Sequence, residues 1–238
     1  MTAVYLAPDA DVLPASSPWY RTLTRVVRVR PGESVRLLDG AGGERVAVVV
    51  EVDRAGVRFE VRERRRVLRR EPALVLGLAL LPAGRFDDVV QQATELGLDV
   101  LQPLVTARTN VHLAPDDVPD KLDRWQKKAR EAVRQCGRAL EPEIRPPLAL
   151  ADWVRDGGAA TWVRFDREGS PELPPLPAAG EVRLLVGPEG GWDEADVAAL
   201  ATMGAATVTL GEHVLRAETA ALMAVGLAAR ARTTAGRP

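Results

Sequence analysis

Two stretches of the 238-residue chain set glycines beside groups that can do chemistry. The first is Leu184-Leu185-Val186-Gly187-Pro188-Glu189-Gly190-Gly191-Trp192. Here an apolar run, as expected of a buried strand, ends in a glycine-rich loop that opens a helix. The carboxyl end of a parallel strand is where ligands bind in open α/β sheets. Glycines let backbone N–H and C=O groups approach a ligand with no Cβ in the way. The loop is not G-x-G-x-x-G, and it lacks the Gly-Lys-Ser/Thr of a phosphate loop. Glu189 would repel phosphate, so a phosphate-free ligand is favoured. An ordinary tight strand–helix turn asks for the same glycines, and the spacing leaves both readings open.

The second stretch, Val208 to Ala220, repeats the architecture: strand, Gly211, loop, helix. Glu218 and Thr219 fall in the helix's first turn, where an acid and a hydroxyl stabilise the terminus. That role can be all they have. Arg216 precedes the helix and can face an anion or a ligand, whereas His213 suits a surface loop. Other chemistries fit poorly. Ser16, Ser17, Ser34 and Ser170 lie in turns or loops without a G-x-S-x-G elbow. With one cysteine, Cys136, and two histidines, His112 and His213, neither disulfides nor a metal site is expected.

Alternating strands and helices must position these loops. Leu74–Leu81 reads as a strand buried on both faces. Phe86, Val89, Val90, Ala93 and Leu96 follow helical spacing, and Gly97 fits the stop. Further strands are expected at Val100–Val105, Thr161–Phe165, Val182–Val186 and Ala206–Leu210. Helices are expected over 117–135, 193–203 and 217–232, with Ser170–Gly180 an exposed loop. The helix over 117–135 has an apolar stripe of Leu122, Trp125, Ala129, Ala132, Val133 and Cys136, which makes Cys136 a packed thiol. Lys127, Arg130, Arg134 and Arg138 form a basic ridge on that helix. This alternation implies a mostly parallel sheet with helices on both faces. Residues 1 to about 70 instead read as short strands at Val26–Val29, Ser34–Leu38, Val46–Val52 and Val57–Val61. Turns at Pro31-Gly32, Asp39-Gly40 and Asp53–Gly56 suggest a small barrel. The expected domains are therefore 1–72 and 73–238.

Composition narrows the partners. Hydrophobic residues make up 46% and charged residues 27%, so the chain can offset its conformational entropy and fold. No apolar run reaches the roughly 18–20 residues of a membrane span, and Met1–Asp11 has no basic signal-peptide region. The net charge of −1 conceals an alternation. Residues 1–72 carry 14 basic against 10 acidic groups, and 121–145 carry 8 against 4. The intervening 73–120 carries 2 against 7, and 146–238 carries 8 against 12. A polyanion would meet the two basic segments first, although ordinary solvated charge produces the same counts.

Together the motifs resemble the SPOUT-class methyltransferases, and within them the bacterial 16S ribosomal RNA uracil-N3 methyltransferase family. The resemblance rests on Gly187-Pro188-Glu189-Gly190-Gly191, followed by Leu210-Gly211-x-x-Val214-Leu215-Arg216-x-Glu218-Thr219-Ala220. Other pieces agree in order: Thr94–Gly97, Arg124–Lys127, Glu131-Ala132, Gln135–Arg138 and Pro142–Ile144. Val26 to Gly40 is similar to the family's N-terminal PUA-like barrel. The chain departs from the pattern at Arg85, where lysine is usual, at Ala107, where an acid is common, and at Glu212-His213.

The resemblance implies an α/β fold: a PUA-like β-barrel over 1–72 and a SPOUT domain over 73–238, with a trefoil knot within about 160–238. It implies a cytoplasmic homodimer that uses S-adenosylmethionine on 16S rRNA, within the small ribosomal subunit, with no metal and no membrane. Cofactor binding falls to Val186, Gly187, Pro188, Glu189, Gly190, Gly191, Leu210, Gly211, Val214, Leu215 and Arg216. Uracil N3 holds its proton at neutral pH, so the chemistry needs a base and stabilisation of an anion. Glu131 or Glu218 would be the base, and Arg138 or Arg216 the stabiliser. Arg25, Arg28, Arg30, Lys127, Arg130 and Arg134 would hold phosphates. Alternatives are a different rRNA or tRNA target, or a noncatalytic RNA-binding protein of ribosome assembly.

Overall fold

The computed structural model describes residues 1–82 and 84–235; Ala83 and residues 236–238, which belong to the expected second domain, lie outside the described residues. The chain divides into two compact units, Met1–Leu68 with Val133–Glu141, and Arg69–Ala132 with Pro142–Pro238.

The first unit holds β1 (Thr2–Tyr5), β2 (Val12–Pro14), α1 (Pro18–Arg21), a π-helical turn (Thr22–Val27), β3 (Ser34–Leu38), β4 (Gly43–Val52) and β5 (Gly56–Arg66). The strands form one curled sheet in the order β1-β3-β4-β5-β2, with β1 parallel to β3 and the other pairs antiparallel. The two hairpin turns arise as the sequence predicts. Asp39 Oδ1 accepts from the N–H groups of Ala41 and Gly43, and Asp53 Oδ1 from those of Ala55 and Gly56. One expected strand is wrong. Val26–Val29 is not extended: Ser17 caps α1, and the helical turn that follows points Leu23 inward and leaves Val26 75% exposed. Its apolar residues look like a strand in one dimension, but β1 occupies the place beside β3.

This unit also takes in Val133–Glu141, which the sequence reading assigned to the second domain. Gly137, at φ +72°, ends the long helix and turns the chain. The stretch beyond it pairs with the β3–β4 turn, Gly42 donating to the Ala139 carbonyl at 2.9 Å and Glu141 to that of Gly40 at 2.9 Å.

The second unit continues with β6 (Ala73–Ala79), α2 (Arg85–Leu96), β7 (Val100–Val105), a 3-10 turn (Pro115–Asp117) and α3 (Val118–Cys136). There follow β8 (Glu143–Ile144), β9 (Leu148–Ala149), α4 (Leu150–Arg155), β10 (Ala160–Ser170), β11 (Glu181–Val186), α5 (Glu194–Thr202), β12 (Ala206–Val208) and α6 (Ala217–Ala235). Seven parallel strands run in the order β12-β10-β11-β6-β7-β8, with β9 also on β7. Alternation sorts the two faces, as the pleat requires. Leu74, Leu76, Leu78, Val182, Leu184 and Val186 pack with α2, α3 and α6. Val75 and Leu185 pack with α4 and α5. On that second face the Arg183 guanidinium lies over Trp153 at 5.1 Å and Trp162 at 4.8 Å.

On α3 the apolar stripe ends one turn early. Trp125, Ala129, Ala132 and Val133 are buried, but Cys136 is exposed, so it is not the packed thiol expected. Arg138 lies beyond the helix and is half-buried, so the basic ridge on the helix stops at Arg134.

Candidate functional site

A cavity of about 440 Å³ opens at the carboxyl ends of β10, β11 and β12. Three chain segments build its walls: Phe165–Glu168 within β10 where its pairing with β11 ends, Val186–Trp192 at and after the end of β11, and Thr209–Leu215 after β12. Ala217 and Ala220 of α6 close it.

The glycine loop is closely packed at Gly187 and sharply turned at Gly191. A Cβ on Gly187 would stand 3.0 Å from the Trp192 ring, which is itself buried and reaches the Phe165 carbonyl through Nε1 at 3.5 Å. Gly191 adopts φ +71° and donates to the Pro188 carbonyl at 2.8 Å, a turn that favours glycine. Arg108, in the loop after β7, donates to the Gly190 carbonyl at 2.9 Å. Asp193 then caps α5 through a capping box with Asp196. Burial pushes the Asp196 carboxyl above its ordinary range, partly offset by its bond from the Asp193 backbone. On the other wall the Thr209 hydroxyl reaches the carbonyls of Arg167 and Gly211, each at 3.3 Å.

Charge in the lining is mostly negative. Asp166, Glu168, Glu189 and Glu212 face it, against Arg167. Arg85 stands beside the glycine loop, with Nη1 2.6 Å from Glu189 Oε1 and Nε 3.9 Å from Glu218 Oε1.

The structure brings most of the expected cofactor residues together. Val186, Gly187, Pro188, Glu189, Gly190, Gly191, Leu210, Gly211, Val214 and Leu215 all line the cavity. Arg216 does not; it is exposed just before α6. Glu131 is exposed on α3, Arg138 belongs to the first unit, and neither lines the cavity. Glu218 is placed between Ala217 and Ala220, and its Oε2 is buried with no hydrogen-bond partner among the described residues. Arg25, Arg28 and Arg30 are exposed in the first unit, and Lys127, Arg130 and Arg134 are exposed on α3. Arg134 also lies over the Tyr5 ring at 5.9 Å. Sequence reasoning missed Phe165–Glu168 and Arg108 and marked Arg85 only as a departure from the family pattern. The first had a signal: β10 is a third parallel strand, so its carboxyl end faces the same way as the two glycine loops.

A family model for the RNA methyltransferase domain matches residues 69–229, and one for the RNA methyltransferase PUA domain matches 23–62. The protein of Mycobacterium bovis named Ribosomal RNA small subunit methyltransferase E is 36% identical over 209 residues, covering 84% of this chain and 79% of that protein. The chain belongs to the ribosomal RNA small subunit methyltransferase E family. A Synechocystis protein of the same name is 32% identical over 214 residues, covering 85% of this chain and 68% of that protein. The crystal structure of the methyltransferase E of Neisseria gonorrhoeae, bound to S-adenosyl methionine, is 26% identical. It aligns with a TM-score of 0.74 over 95% of this chain and 96% of that one. Among the described residues of this methyltransferase E chain no cluster of three or more His, Cys, Asp or Glu can hold a metal, and no helix is long and apolar enough to cross a membrane.

Proposed function

We propose that this protein transfers a methyl group from S-adenosylmethionine to N3 of a specific uridine in the 16S rRNA of the small ribosomal subunit. The observation that carries the reading is the cavity built jointly by Val186–Trp192 and Thr209–Leu215 at the carboxyl ends of parallel strands. Its lining fits the cofactor's chemistry. Phe165, Val186, Leu210 and Leu215 offer apolar surface to a nucleoside. The close backbone at Gly187, Gly191 and Gly211 offers hydrogen-bonding groups where a Cβ would intrude or strain the chain. The excess of carboxylates suits a cationic, phosphate-free ligand.

When bound, the cofactor supplies a methyl group already activated by positive sulfur. The chain's task is to hold the attacking nitrogen in line with it, since orientation supplies much of the rate. It must also accept the N3 proton, with Glu131 and Glu218 as the candidate carboxylates. Arg216 and Arg138 are the candidates for stabilising the anion. N3 lies on the Watson–Crick edge, so the target base is unpaired or flipped out. Arg25, Arg28, Arg30, Lys127, Arg130 and Arg134 hold RNA phosphates in this reading. The same reading takes 1–72 as a PUA-like RNA-binding barrel and 73–238 as a SPOUT domain with a trefoil knot within about 160–238. It also takes the protein as a cytoplasmic homodimer working on the ribosomal subunit.

The test is incubation with labelled S-adenosylmethionine and small subunits from cells lacking the protein, followed by mapping of the modified base. A single N3-methyluridine in 16S rRNA is expected. Label in another RNA moves the target, and cofactor binding without transfer to any RNA overturns the reading.

A further inference from the structure

Arg85 opens α2 and reaches the glycine loop and the first turn of α6. It bonds Glu189, which lines the cavity, at 2.6 Å, and approaches Glu218 at 3.9 Å. The two oxygens of Glu218 differ. Oε2 is removed from solvent and accepts no hydrogen bond among the described residues. An unmet acceptor in the interior is costly, and capping a helix terminus does not require it. The side chain keeps 21% exposure, which therefore lies on Oε1 and the carbon stem, with Oε1 the oxygen nearest Arg85. At 3.9 Å the pair attracts without a hydrogen bond. Oε1 therefore keeps its lone pairs for another donor.

We propose that Arg85 is the positioning residue that holds the Glu218 carboxylate beside the cavity as acceptor of the N3 proton of the target uracil. The inference rests on the methyl-transfer reading above and decides between its two candidate bases. Neither Glu131, exposed on α3, nor Glu218 itself lines the cavity. Glu218 shares a turn of α6 with two residues that do. By pairing with Glu189 as well, Arg85 ties the glycine loop to α6 across the site.

The step balances. The N3–H bond breaks and its proton passes to Glu218 Oε1. The N3 electron pair forms the bond to the methyl carbon while the sulfur–methyl bond breaks and its pair stays on sulfur. A carboxylate and a sulfonium become a neutral carboxyl and a neutral thioether, and the carboxyl returns its proton to water.

The test compares Glu218→Gln, Arg85→Gln, Arg85→Lys and the double variant E218Q/R85Q in the full chain. Small subunits lacking the modification are the substrate, cofactor affinity is read by calorimetry, and folding by thermal unfolding. E218Q is expected to lower kcat by about 100-fold or more while leaving the S-adenosylmethionine Kd within about threefold. R85Q is expected to lower kcat about tenfold, R85K to recover most of it, and the double variant to be no slower than E218Q, because Arg85 acts through Glu218. A kcat within about fivefold of the parent in E218Q, or full additivity of the two losses, overturns the assignment. If the parent makes N3-methyluridine and E218Q is unimpaired, only this assignment falls. If the parent binds cofactor and methylates no uridine, the reading beneath it falls as well.

Discussion

Arg232 and Asp99 form a buried ion pair that fastens the end of α6 to the turn before β7. The Arg232 guanidinium also donates to the carbonyls of Pro72 at 3.1 Å and Gly97 at 3.0 Å, and Asp99 Oδ2 accepts the Leu74 N–H at 3.0 Å. The first residues of α6 line the cavity, so this contact anchors the far end of the helix that closes the site. Removing one partner leaves a buried charge unpaired. Arg232→Met is therefore expected to destabilise the fold by about 3–5 kcal/mol in urea unfolding, whereas R232M combined with Asp99→Leu is expected to cost less. A double variant as unstable as the sum of its two single variants would show that the pair has no mutual dependence.

Gly187 tests the cavity's shape without touching charge. Its missing Cβ sits 3.0 Å from the Trp192 ring, tighter than ordinary contact. Gly187→Val must shift the buried Trp192 ring or displace the loop. The expected result is a cofactor Kd raised about tenfold or more by calorimetry, equivalent to about 1.4 kcal/mol. Unchanged cofactor affinity would mean that this loop does not form the binding wall.

Much of the second unit was legible because its signals are local. The continuous apolar runs of β6 and β11, the helical spacing of α2 and the acidic start of α5 each declare themselves within about ten residues. Both glycine loops follow from where those strands end. What was illegible depends on distant pairing. β1 lies parallel to β3 across more than thirty residues, and Val133–Glu141 joins the compact unit formed by the first 68. Short β8 and β9 exist only through β7. The same limit applies to the site. Arg85 and Arg108 approach the glycine loop from 104 and 82 residues away, a relationship no spacing rule contains.

Glu44 supplies a pH-dependent contribution to the first unit. Its carboxyl accepts from Arg36 Nε at 2.7 Å and Nη2 at 3.3 Å. The hydrogen-bonded guanidinium holds its pKa below the ordinary value of 4.5, against the opposing effect of burial. A depressed carboxylate stabilises the fold above the unfolded value and loses that contribution as pH falls through the folded one. Glu44→Gln is therefore expected to cost roughly 1.5–3 kcal/mol at pH 7, with the difference shrinking below about pH 4.5. A penalty independent of pH would assign the loss to packing instead.

The exposed arginines before β3 separate RNA affinity from stability. Arg28 adopts φ +58°, a left-handed conformation that an L side chain enters at a cost, while Arg25 and Arg30 have ordinary backbone angles. If all three hold phosphates, each replacement should reduce the slope of log affinity against log salt by about one, for any RNA sequence bound. Arg28→Gly should do so while raising stability by about 1 kcal/mol, because glycine adopts the same angle without the Cβ penalty. Arg25→Ala and Arg30→Ala should weaken binding with no such gain. Filter binding across a salt series and thermal unfolding of the same three variants read the two quantities independently. A slope unchanged in all three would remove this segment from the RNA interface and leave the basic residues of α3 to account for phosphate binding.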